Sequence, residues 1–266
     1  MTTAPRTPVA LAIAGSDPSG GAGIQADLKT FHQFHVYGEA AITLLTVQNT
    51  RGVQRVECLP PGLIAQQIRA VLEDIPPQAV KTGALGNREI IETVAAIAAD
   101  LKCPLVVDPV AVSKHGARLL AADAVEALKT RLLPSALLLT PNLEEAEMLT
   151  GIEVRDVAGM VAAAEKLLAM GPRAVLVKGG HLAGDAIDVL LSGGQRLDFT
   201  APRVATPHTH GTGCTYSAAI TALLARGEEL ESAIREAKRY ITEAIRTNPG
   251  LGSGSGPVNH HAKTYA

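Results

Sequence analysis

The segment 210–219 (HGTGCTYSAA) contains the residue types needed to bind an anion beside a group that can accept a proton. Gly211 and Gly213 flank Thr212, and Cys214 leads into a run of residues suited to a helix. A glycine turn that enters a helix leaves several backbone N–H groups without partners at the positive end of the helix dipole. A cysteine at that end would favour the thiolate. An ordinary glycine-rich helix start with a small buried cysteine fits the same residues.

A second glycine-rich stretch, 15–27 (GSDPSGGAGIQAD), follows the apolar run 9–14 and precedes a helical pattern. It lacks the Lys-Ser/Thr pair of a Walker A loop and the G-x-G-x-x-G spacing of a dinucleotide site. Its glycines would let the backbone approach a ligand closely, and Asp17 and Asp27 could hold polar groups of that ligand. A tight strand-to-helix turn, with Asp17 in an Asx turn, is the alternative interpretation.

The polar residues that could do chemistry follow predicted strands. They are Gln48, Lys81, Asp108, Asn142, Lys178 and Cys214. Loops at the carboxyl ends of parallel strands share one edge of a sheet, so these residues predict a single active site. Asp108 is a candidate metal or phosphate-side group, although it could equally open a turn before Pro109. Asn142 and Glu145, three residues apart at a helix start, indicate a capping box, a pair that organises water around Mg²⁺, or both.

Hydrophobic periodicity supplies the elements that would position these residues. Strands are predicted at 9–14, 40–47, 79–85, 105–108, 135–140, 173–178, 186–191 and 196–199. Amphipathic helices alternate with most of them, and Gly193-Gly194 indicates a hairpin late in the chain. This alternation predicts an α/β fold with a largely parallel sheet between helices. We expect one domain over 1–266, with flexible or flap segments at 1–8 and 248–266.

Composition excludes several classes of protein. A net charge of -2 and only 3% aromatic residues give little support to nucleic-acid binding. Three widely spaced cysteines, Cys58, Cys103 and Cys214, argue against a disulfide framework and fit a reducing cytoplasm. We find no apolar run of the roughly 20 residues that a membrane span needs, and the first residues lack the apolar stretch of a signal peptide. A cytoplasmic protein is predicted.

Taken together, several motifs resemble those of the hydroxymethylpyrimidine/phosphomethylpyrimidine kinases of thiamine biosynthesis, a ribokinase-like family. They are AGSDPSGGAGIQADLKT, VQNTRGV, VVDPV, TPNLEEAE, VKGGH and HGTGC, in this order. The resemblance covers nearly the whole chain, from about Val9 to the GPVNHH segment at 256–261. It implies a three-layer α/β/α sandwich, usually a homodimer. It also implies phosphorylation by ATP and Mg²⁺ of 4-amino-5-hydroxymethyl-2-methylpyrimidine, and then of its monophosphate.

The resemblance also implies roles for single residues. Gly211, Thr212, Gly213 and Cys214 would form the anion hole, and Cys214 would occupy the place where many ribokinase-like enzymes have an aspartate base. The implied substrate-binding residues are Gln48, Asp27, Val110, Gly15, Gly20, Gly21, Ala22 and Gly23. The implied ATP-binding residues are Lys178, Asn142, Asp108, Thr212 and Lys238. The implied metal-binding residues are Glu145, Asn142 and Asp108.

Two departures from the family pattern leave alternatives open. Ala84 and Ala111 stand where the family is expected to have methionines, and smaller side chains would widen the acceptor pocket. A pyridoxal or pyridoxine kinase, or an enzyme with both activities, is therefore one alternative, and a non-catalytic vitamin-binding regulator is another. A zinc site formed by His208, His210 and Cys214 does not match a standard spacing. We expect His260 and His261 to be solvated tail residues.

Overall fold

One nine-stranded sheet runs through the protein, whose computed structural model describes residues 7–111, 116, 119–180, 182 and 184–264. The strands are β1 (Val9–Ser16), β2 (Tyr37–Asn49), β3 (Gly52–Cys58), β4 (Ala79–Thr82), β5 (Leu105–Val107), β6 (Leu138–Leu139), β7 (Ala174–Lys178), β8 (Ala186–Ser192) and β9 (Gln195–Ala201). The helices are α1 (Gly23–Gln33), α2 (Pro61–Asp74), α3 (Arg88–Ala98), α4 (Ala124–Ala127), α5 (Leu143–Thr150), α6 (Val157–Leu168), α7 (Thr212–Ala225) and α8 (Leu230–Arg246). A π-helical turn, Leu128–Leu132, continues α4.

The sheet is parallel at its centre and antiparallel at its two edges. Its strand order is β3-β2-β1-β4-β5-β6-β7-β8-β9, and the ladders from β2 to β7 are all parallel. The central strands are apolar without alternation because helices cover both of their faces. All of the parallel strands therefore present their carboxyl ends at one edge, as the sequence predicted.

Two hydrophobic layers pack against the two faces of this sheet. One layer holds apolar side chains of α2, α3, α5 and α6, such as Ile68 and Leu167. The other holds α1, α7 and α8, and in α7 every residue from Thr215 to Ala225 is buried. A helix that is apolar all round lies inside the protein rather than on its surface. The predicted three-layer α/β/α sandwich is confirmed, and α7 is its innermost helix.

The structure differs from the predicted elements at several boundaries. The segment after β2, predicted as a polar exit, turns at 50–51 and continues as β3, because an edge strand can carry polar residues such as Arg55 and Glu57 on its free side. The strand predicted at 135–140 forms ladder bridges only at Leu138–Leu139, since a 3₁₀ turn containing Pro134 precedes it. In the described part of the chain, no helix combines the length and apolar composition needed to cross a membrane.

The tail segment predicted as a flap lies against the loops at the carboxyl edge of the sheet. Gly254 N lies 3.4 Å from Thr50 Oγ1, and Gly256 O accepts a hydrogen bond of 3.0 Å from His210 N. Residues 1–6 and 265–266, which belong to the two predicted flexible segments, lie outside the described residues. His260, expected in solvent, is buried at 7% exposure and contacts Thr215, whereas His261 is exposed.

Glu39 is a charged residue inside the layer between β2 and α2. It shares a face of β2 with Ala41, is 7% exposed, and its Oε2 has no hydrogen-bond partner among the described residues. Burial, together with the negative charge of Asp74, raises the pKa of Glu39 to about 7. A carboxyl whose pKa is higher in the folded than in the unfolded protein stabilises the fold at low pH, and this stabilisation is lost as pH rises through the folded pKa.

We therefore expect Glu39→Gln to raise the free energy of unfolding by on the order of 1 kcal/mol near pH 8, where wild-type Glu39 must be buried as an anion. Near pH 5 the gain should be smaller, since wild-type Glu39 is then protonated. Urea unfolding at the two pH values measures both quantities, with the exposed Glu73→Gln as the matched control. An equal gain at both pH values would show that Glu39 does not titrate on unfolding.

Candidate active site

The N-terminus of α7 lies at the carboxyl edge of the sheet and begins with a glycine in a left-handed conformation. Gly211 is the N-cap residue with φ 80°, and in the described structure no side chain caps the helix. The first N–H groups of α7 are thus left to face the loops that leave the parallel strands. Uncapped N–H groups at the positive helix end form a site for an anion.

The two glycine-rich stretches predicted from sequence pack directly against each other. A Cβ built on Gly211 would lie 1.7 Å from Gly21 O, and one on Gly21 would lie 2.4 Å from His210 Cδ2. Within the first loop, a Cβ on Gly23 would lie 2.2 Å from Gly15 O. These distances exclude any side chain, so the glycines are required for the backbones to approach this closely.

The Asp17 side chain binds the backbone of the first glycine loop. Its carboxylate accepts hydrogen bonds from the N–H groups of Ser19, Gly21 and Ala22, at 2.9, 3.2 and 2.9 Å. Burial alone would raise its pKa, but hydrogen bonds from His210 and Ser19 bring the pKa of Asp17 below its ordinary value. The interpretation of Asp17 as a turn residue is confirmed, and Gly20 to Gly23 are held in place by it.

His210 connects three parts of the site. Its Nε2 lies 2.8 Å from Asp17 Oδ2, and the side-chain amide of Gln48 lies 3.3 Å from the same nitrogen. Its backbone pairs with the tail, because Val258 N donates to His210 O at 3.2 Å. The first glycine loop and the end of β2 therefore meet at the His210 side chain and the tail at its backbone, and the residue is only 3% exposed.

Cys214 lies in the first turn of α7, where the sequence predicted a thiolate. That prediction is wrong, since burial raises the pKa of Cys214 to about 11. Lys81 lowers this pKa and the Gly23 N–H group lowers it slightly, but the carboxylates of Asp27 and Asp108 raise it again. Loss of hydration and two nearby negative charges thus outweigh the helix dipole.

Asp27 and Lys81 form a fully buried ion pair beneath this turn. Lys81 Nζ lies 2.7 Å from Asp27 Oδ1, and both side chains are 0% exposed. Burial raises the pKa of Asp27 to about 6, although Lys81 opposes the shift. Asp27 was predicted to contact a substrate, but its side chain is closed off from the surface and bound to Lys81.

Asp108 and Lys178 form a second ion pair across the same edge. Lys178 Nζ lies 3.0 Å from Asp108 Oδ1, and Ser217 Oγ donates to Asp108 Oδ2 at 3.1 Å. A Cβ built on Gly213 would lie 3.4 Å from Lys178 Nζ, so this ammonium group is next to the start of α7. Lys178 keeps 12% of its side chain exposed and is the cation best placed to meet an anion there.

Asn142 and Glu145 form the predicted capping box at the start of α5. Asn142 N donates to Glu145 Oε2 at 2.8 Å, and Glu145 N donates to Asn142 Oδ1 at 2.9 Å. Burial raises the pKa of Glu145 to about 7; Lys178 opposes this shift and Asp108 adds to it. Glu145 is thus a second buried carboxylate beside Asp108, and carboxylate oxygens are ligands that a divalent cation can use.

A cation bound here would need ligands from outside the protein. Among the described residues, no group of three His, Cys, Asp or Glu side chains is arranged to hold a metal ion. Both oxygens of Asp108, a predicted metal ligand, already accept hydrogen bonds from Lys178 and Ser217. Glu145, whose Oε2 accepts a hydrogen bond from Asn142 N, would then be the carboxylate available to a metal, with phosphate oxygens and water as the remaining ligands. The zinc alternative has no support, because His210 contacts Asp17 and His208 Nδ1 accepts from Gly256 N.

The remaining predicted residues lie around this centre. Lys238, predicted to bind ATP, instead forms a buried ion pair of 2.6 Å with Asp188, whose other oxygen accepts from Gly179 N at 3.1 Å. Val110 is half-buried, and its N–H donates to Asp108 O. His181, part of the VKGGH motif, lies outside the described residues.

Sequence reasoning missed Ser217 and Asp188 as members of the site. Ser217 follows Cys214 by three residues, and this helical spacing was the available signal that both share one side of α7. Asp188 belongs to β8, which carries no motif, so only the fold brings it to Gly179 and Lys238. The ion pairs of Asp27 and Asp108 were also missed, since each joins residues more than fifty positions apart.

The chain is similar to known proteins over nearly its whole length. Residues 17–259 match the family model described as phosphomethylpyrimidine kinase. The hydroxymethylpyrimidine/phosphomethylpyrimidine kinase of Streptomyces coelicolor is 50% identical over 97% of both chains. Among solved structures, phosphomethylpyrimidine kinase from Clostridium difficile 630 is 46% identical with a TM-score of 0.80, over 90% of this chain and 100% of that one. Staphylococcus aureus pyridoxal kinase, in complex with AMP-PCP and pyridoxal, is 35% identical with a TM-score of 0.89, over 97% and 94%.

We expect His210→Ala to destabilise the protein by about 1–3 kcal/mol, because it leaves the buried Asp17 carboxylate without its main side-chain partner. The melting temperature of the variant should fall well below that of His261→Ala, which removes an exposed histidine and serves as the matched control. Equal melting temperatures for the two variants would mean that His210 is not needed to hold the loops together.

Proposed function

The chain belongs to the phosphomethylpyrimidine kinase family, and on that premise we propose that it transfers the γ-phosphoryl group of ATP to 4-amino-5-hydroxymethyl-2-methylpyrimidine and then to the resulting monophosphate. One observation carries the proposal beyond the family match. The uncapped start of α7, Lys178 and the first glycine loop, Gly20 to Gly23, which we call the acceptor loop, lie together at one edge of the sheet. This is where an open α/β sheet binds its ligands.

Phosphoryl transfer requires positioning and neutralisation of charge more than covalent chemistry from the protein. The N–H groups of Gly213 and Cys214, at the positive end of α7, would donate to the incoming phosphate; the Thr212 N–H already donates to Thr209 O at 3.3 Å. Lys178 adds a full positive charge beside Gly213, and Asp108 holds its side chain in place. The transferring group is thus stabilised by donors that are already oriented before ATP arrives.

Magnesium and ATP complete the site in this proposal. Mg²⁺ would be held by Glu145, which Asn142 orients through the capping box. When bound with ATP, Mg²⁺ neutralises charge on the phosphate oxygens. AMP-PCP in the S. aureus relative supports the use of ATP. Lys238 contributes indirectly, because Asp188 links it to the backbone of Gly179 next to Lys178.

The acceptor alcohol must lose a proton in the first phosphorylation. Cys214 is the group at the start of α7 that could take it, but burial keeps its thiol protonated at neutral pH by raising its pKa to about 11. The transfer has a loose transition state, so the proton can leave late and a small thiolate fraction can suffice. In the second phosphorylation the acceptor is already an anion and needs charge screening rather than a base.

The pyrimidine ring would lie between the end of β2 and the first glycine loop. The Gln48 amide can donate and accept at the same time, which suits a ring edge that carries both kinds of group. His210 contacts this amide and, through Asp17, also fixes the backbone of Gly21 and Ala22. Ring recognition and the anion site are therefore held by the same side chain.

We also propose that the protein is a cytoplasmic homodimer. Leu45 and Val47 are 45% and 51% exposed on β2, which forms an edge hairpin of the sheet with β3. Exposed apolar side chains beside a free strand edge favour association with a second copy. The three cysteines are all free, which suits a reducing compartment.

Pyridoxal phosphorylation is the second candidate function, and a specific observation favours it. Ala84 and Ala111 are buried at 9% and 3% exposure next to the acceptor loop and the capping box, where methionines were expected. A Cβ on Gly15 would lie 3.6 Å from Ala84 Cβ, so this alanine does border the first glycine loop. A smaller side chain there leaves more room for a pyridine ring. A non-catalytic regulator has less support. It would not need two lysines, Lys81 and Lys178, each paired with a carboxylate next to the start of α7.

Wild-type protein with ATP and Mg²⁺ should phosphorylate the pyrimidine alcohol and its monophosphate, both faster than pyridoxal. Cys214→Ala should lower kcat on the alcohol by about 100-fold, the usual loss when a general base is removed, and should lower kcat on the monophosphate much less. A coupled assay of ADP release measures all three acceptors, with Cys103→Ala as the matched control. Turnover of pyridoxal alone would place the protein in vitamin B6 salvage, and no turnover of any acceptor would favour the regulator.

Ala84→Met combined with Ala111→Met should narrow the acceptor range. We expect kcat/KM for pyridoxal to fall about tenfold relative to kcat/KM for the pyrimidine alcohol, because added methylenes exclude the larger ring. Ala96→Met, at an exposed position of α3, is the control. An unchanged ratio in an enzyme that accepts pyridoxal would show that these two positions do not set the width of the pocket.

A further inference from the structure

A buried ion pair that the proposed reaction does not use lies directly behind the start of α7. Lys81 belongs to β4, where it pairs in register with Ala12 of β1 and Val106 of β5, so it is at the centre of the sheet. It lies on the same face as Ala79, toward the layer of α1 and α7. A lysine with no exposed surface at the centre of a sheet is costly, and Asp27 at 2.7 Å is its partner.

One carboxylate oxygen of Asp27 in this ion pair has no hydrogen-bond partner among the described residues. Asp27 Oδ1 accepts from Lys81, whereas Oδ2 is buried without a hydrogen-bond partner among the described residues. Asp27 is on α1 one turn after Gly23, and the loop that leads into α1 packs against the start of α7, where a Cβ on Gly211 would lie 1.7 Å from Gly21 O. The carboxylate and the lysine therefore lie behind the first turn of α7, which carries Cys214.

The charged groups that face Cys214 come from four elements. Lys81 of β4 is the strongest favourable influence on its ionisation, and Asp27 of α1 and Asp108 after β5 are unfavourable. Lys178 at the end of β7 also interacts with the thiol. Lys178 keeps part of its side chain exposed and faces the proposed phosphate site, whereas Lys81 is fully buried, so we assign to Lys81 the influence on Cys214.

We propose that Lys81 is a positioning residue of the first phosphorylation, which stabilises the ionised form of Cys214 while Asp27 keeps Lys81 charged and in place. The inference rests on the proposed function for its kinetic part. In the step itself, the substrate O–H bond breaks as the oxygen bonds to the γ-phosphorus and ADP leaves. The proton passes to the Cys214 thiolate, and Lys81 gains no bond and loses no proton.

If Lys81 stabilises the Cys214 thiolate, substitutions of Lys81 and of Asp27 should shift the pH at which Cys214 ionises in opposite directions. A merely structural role does not predict opposite shifts. Removing the ammonium in Lys81→Met should make Cys214 harder to ionise. Removing the carboxylate in Asp27→Asn leaves Lys81 without its counter-ion, so Cys214 should become easier to ionise and take over as the partner of Lys81. If the pair only supports the fold, both variants should be less stable, and the thiol should shift in the same direction or not at all.

The test is the pH dependence of iodoacetamide alkylation at Cys214 in a Cys58→Ala/Cys103→Ala background, followed by mass spectrometry of the intact protein. The midpoint should move up in pH for Lys81→Met and down for Asp27→Asn, by about one unit or more, which is a tenfold change in thiolate at a fixed pH. No substrate is needed, so this readout is independent of the proposed activity. Midpoints that move together, or do not move, would overturn the proposal.

A paired variant keeps the test usable if Lys81→Met fails to fold. Lys81→Met/Asp27→Leu removes both charges and leaves no buried ion unpaired. It lacks the same carboxylate as Asp27→Asn, so any difference between these two variants reports the Lys81 charge alone. We expect a higher alkylation midpoint in the double variant, and equal midpoints would exclude an effect of Lys81.

The kinetic arm compares the two acceptors in the same variants. The pH profile for phosphorylation of the alcohol should shift in the direction of the alkylation midpoint, with kcat falling about tenfold near neutral pH when Lys81 is lost. kcat for the monophosphate, which has no hydroxyl proton to lose, should change little. Equal losses on both acceptors would overturn the role in the first step. A wild type without activity would refute the proposed function but leave the alkylation result standing.

Discussion

Two buried lysine–carboxylate pairs under the start of α7 are the interaction on which the site depends. Lys178–Asp108 and Lys81–Asp27 come from strands and helices of different parts of the chain, and their charged atoms lie 3.0 and 2.7 Å apart. Isolated charges could not be buried at this depth, so each pair is possible only when both of the segments that carry it are in place. The fold and the electrostatics of the site are therefore established together.

Glycines at the site allow the backbone of the first glycine loop to contact the backbone at the start of α7. Gly211 and Gly21 lie in contact at a distance that admits no side chain, and this contact places the acceptor loop next to the N-terminus of α7. Asp17 and His210 then fix the two loops with side-chain hydrogen bonds. An enzyme that relies on positioning needs such preorganised donors, because they do not have to reorient during the reaction.

The sequence predicted the architecture well because periodicity and glycine patterns are local signals. The parallel sheet, the helix at Gly211 and the capping box of Asn142 and Glu145 all followed from residues close together in the chain. The state of Cys214 could not be predicted in this way. Helix position alone favours a thiolate, whereas the burial and the carboxylates that raise its pKa come from distant segments. The burial of Asp27 and the partner of Lys238 were missed for the same reason.

The most direct test of the location of phosphoryl transfer is a crystal structure with ADP, Mg²⁺, aluminium fluoride and the pyrimidine alcohol. We predict that the fluoride group, which mimics the transferring phosphoryl, binds against the N–H groups at 213–214 with Lys178 beside it and the alcohol oxygen on the side of Cys214. Fluoride density away from the start of α7 would contradict phosphoryl transfer at this edge of the sheet. An alcohol oxygen remote from Cys214 would contradict the role of Cys214 as the base.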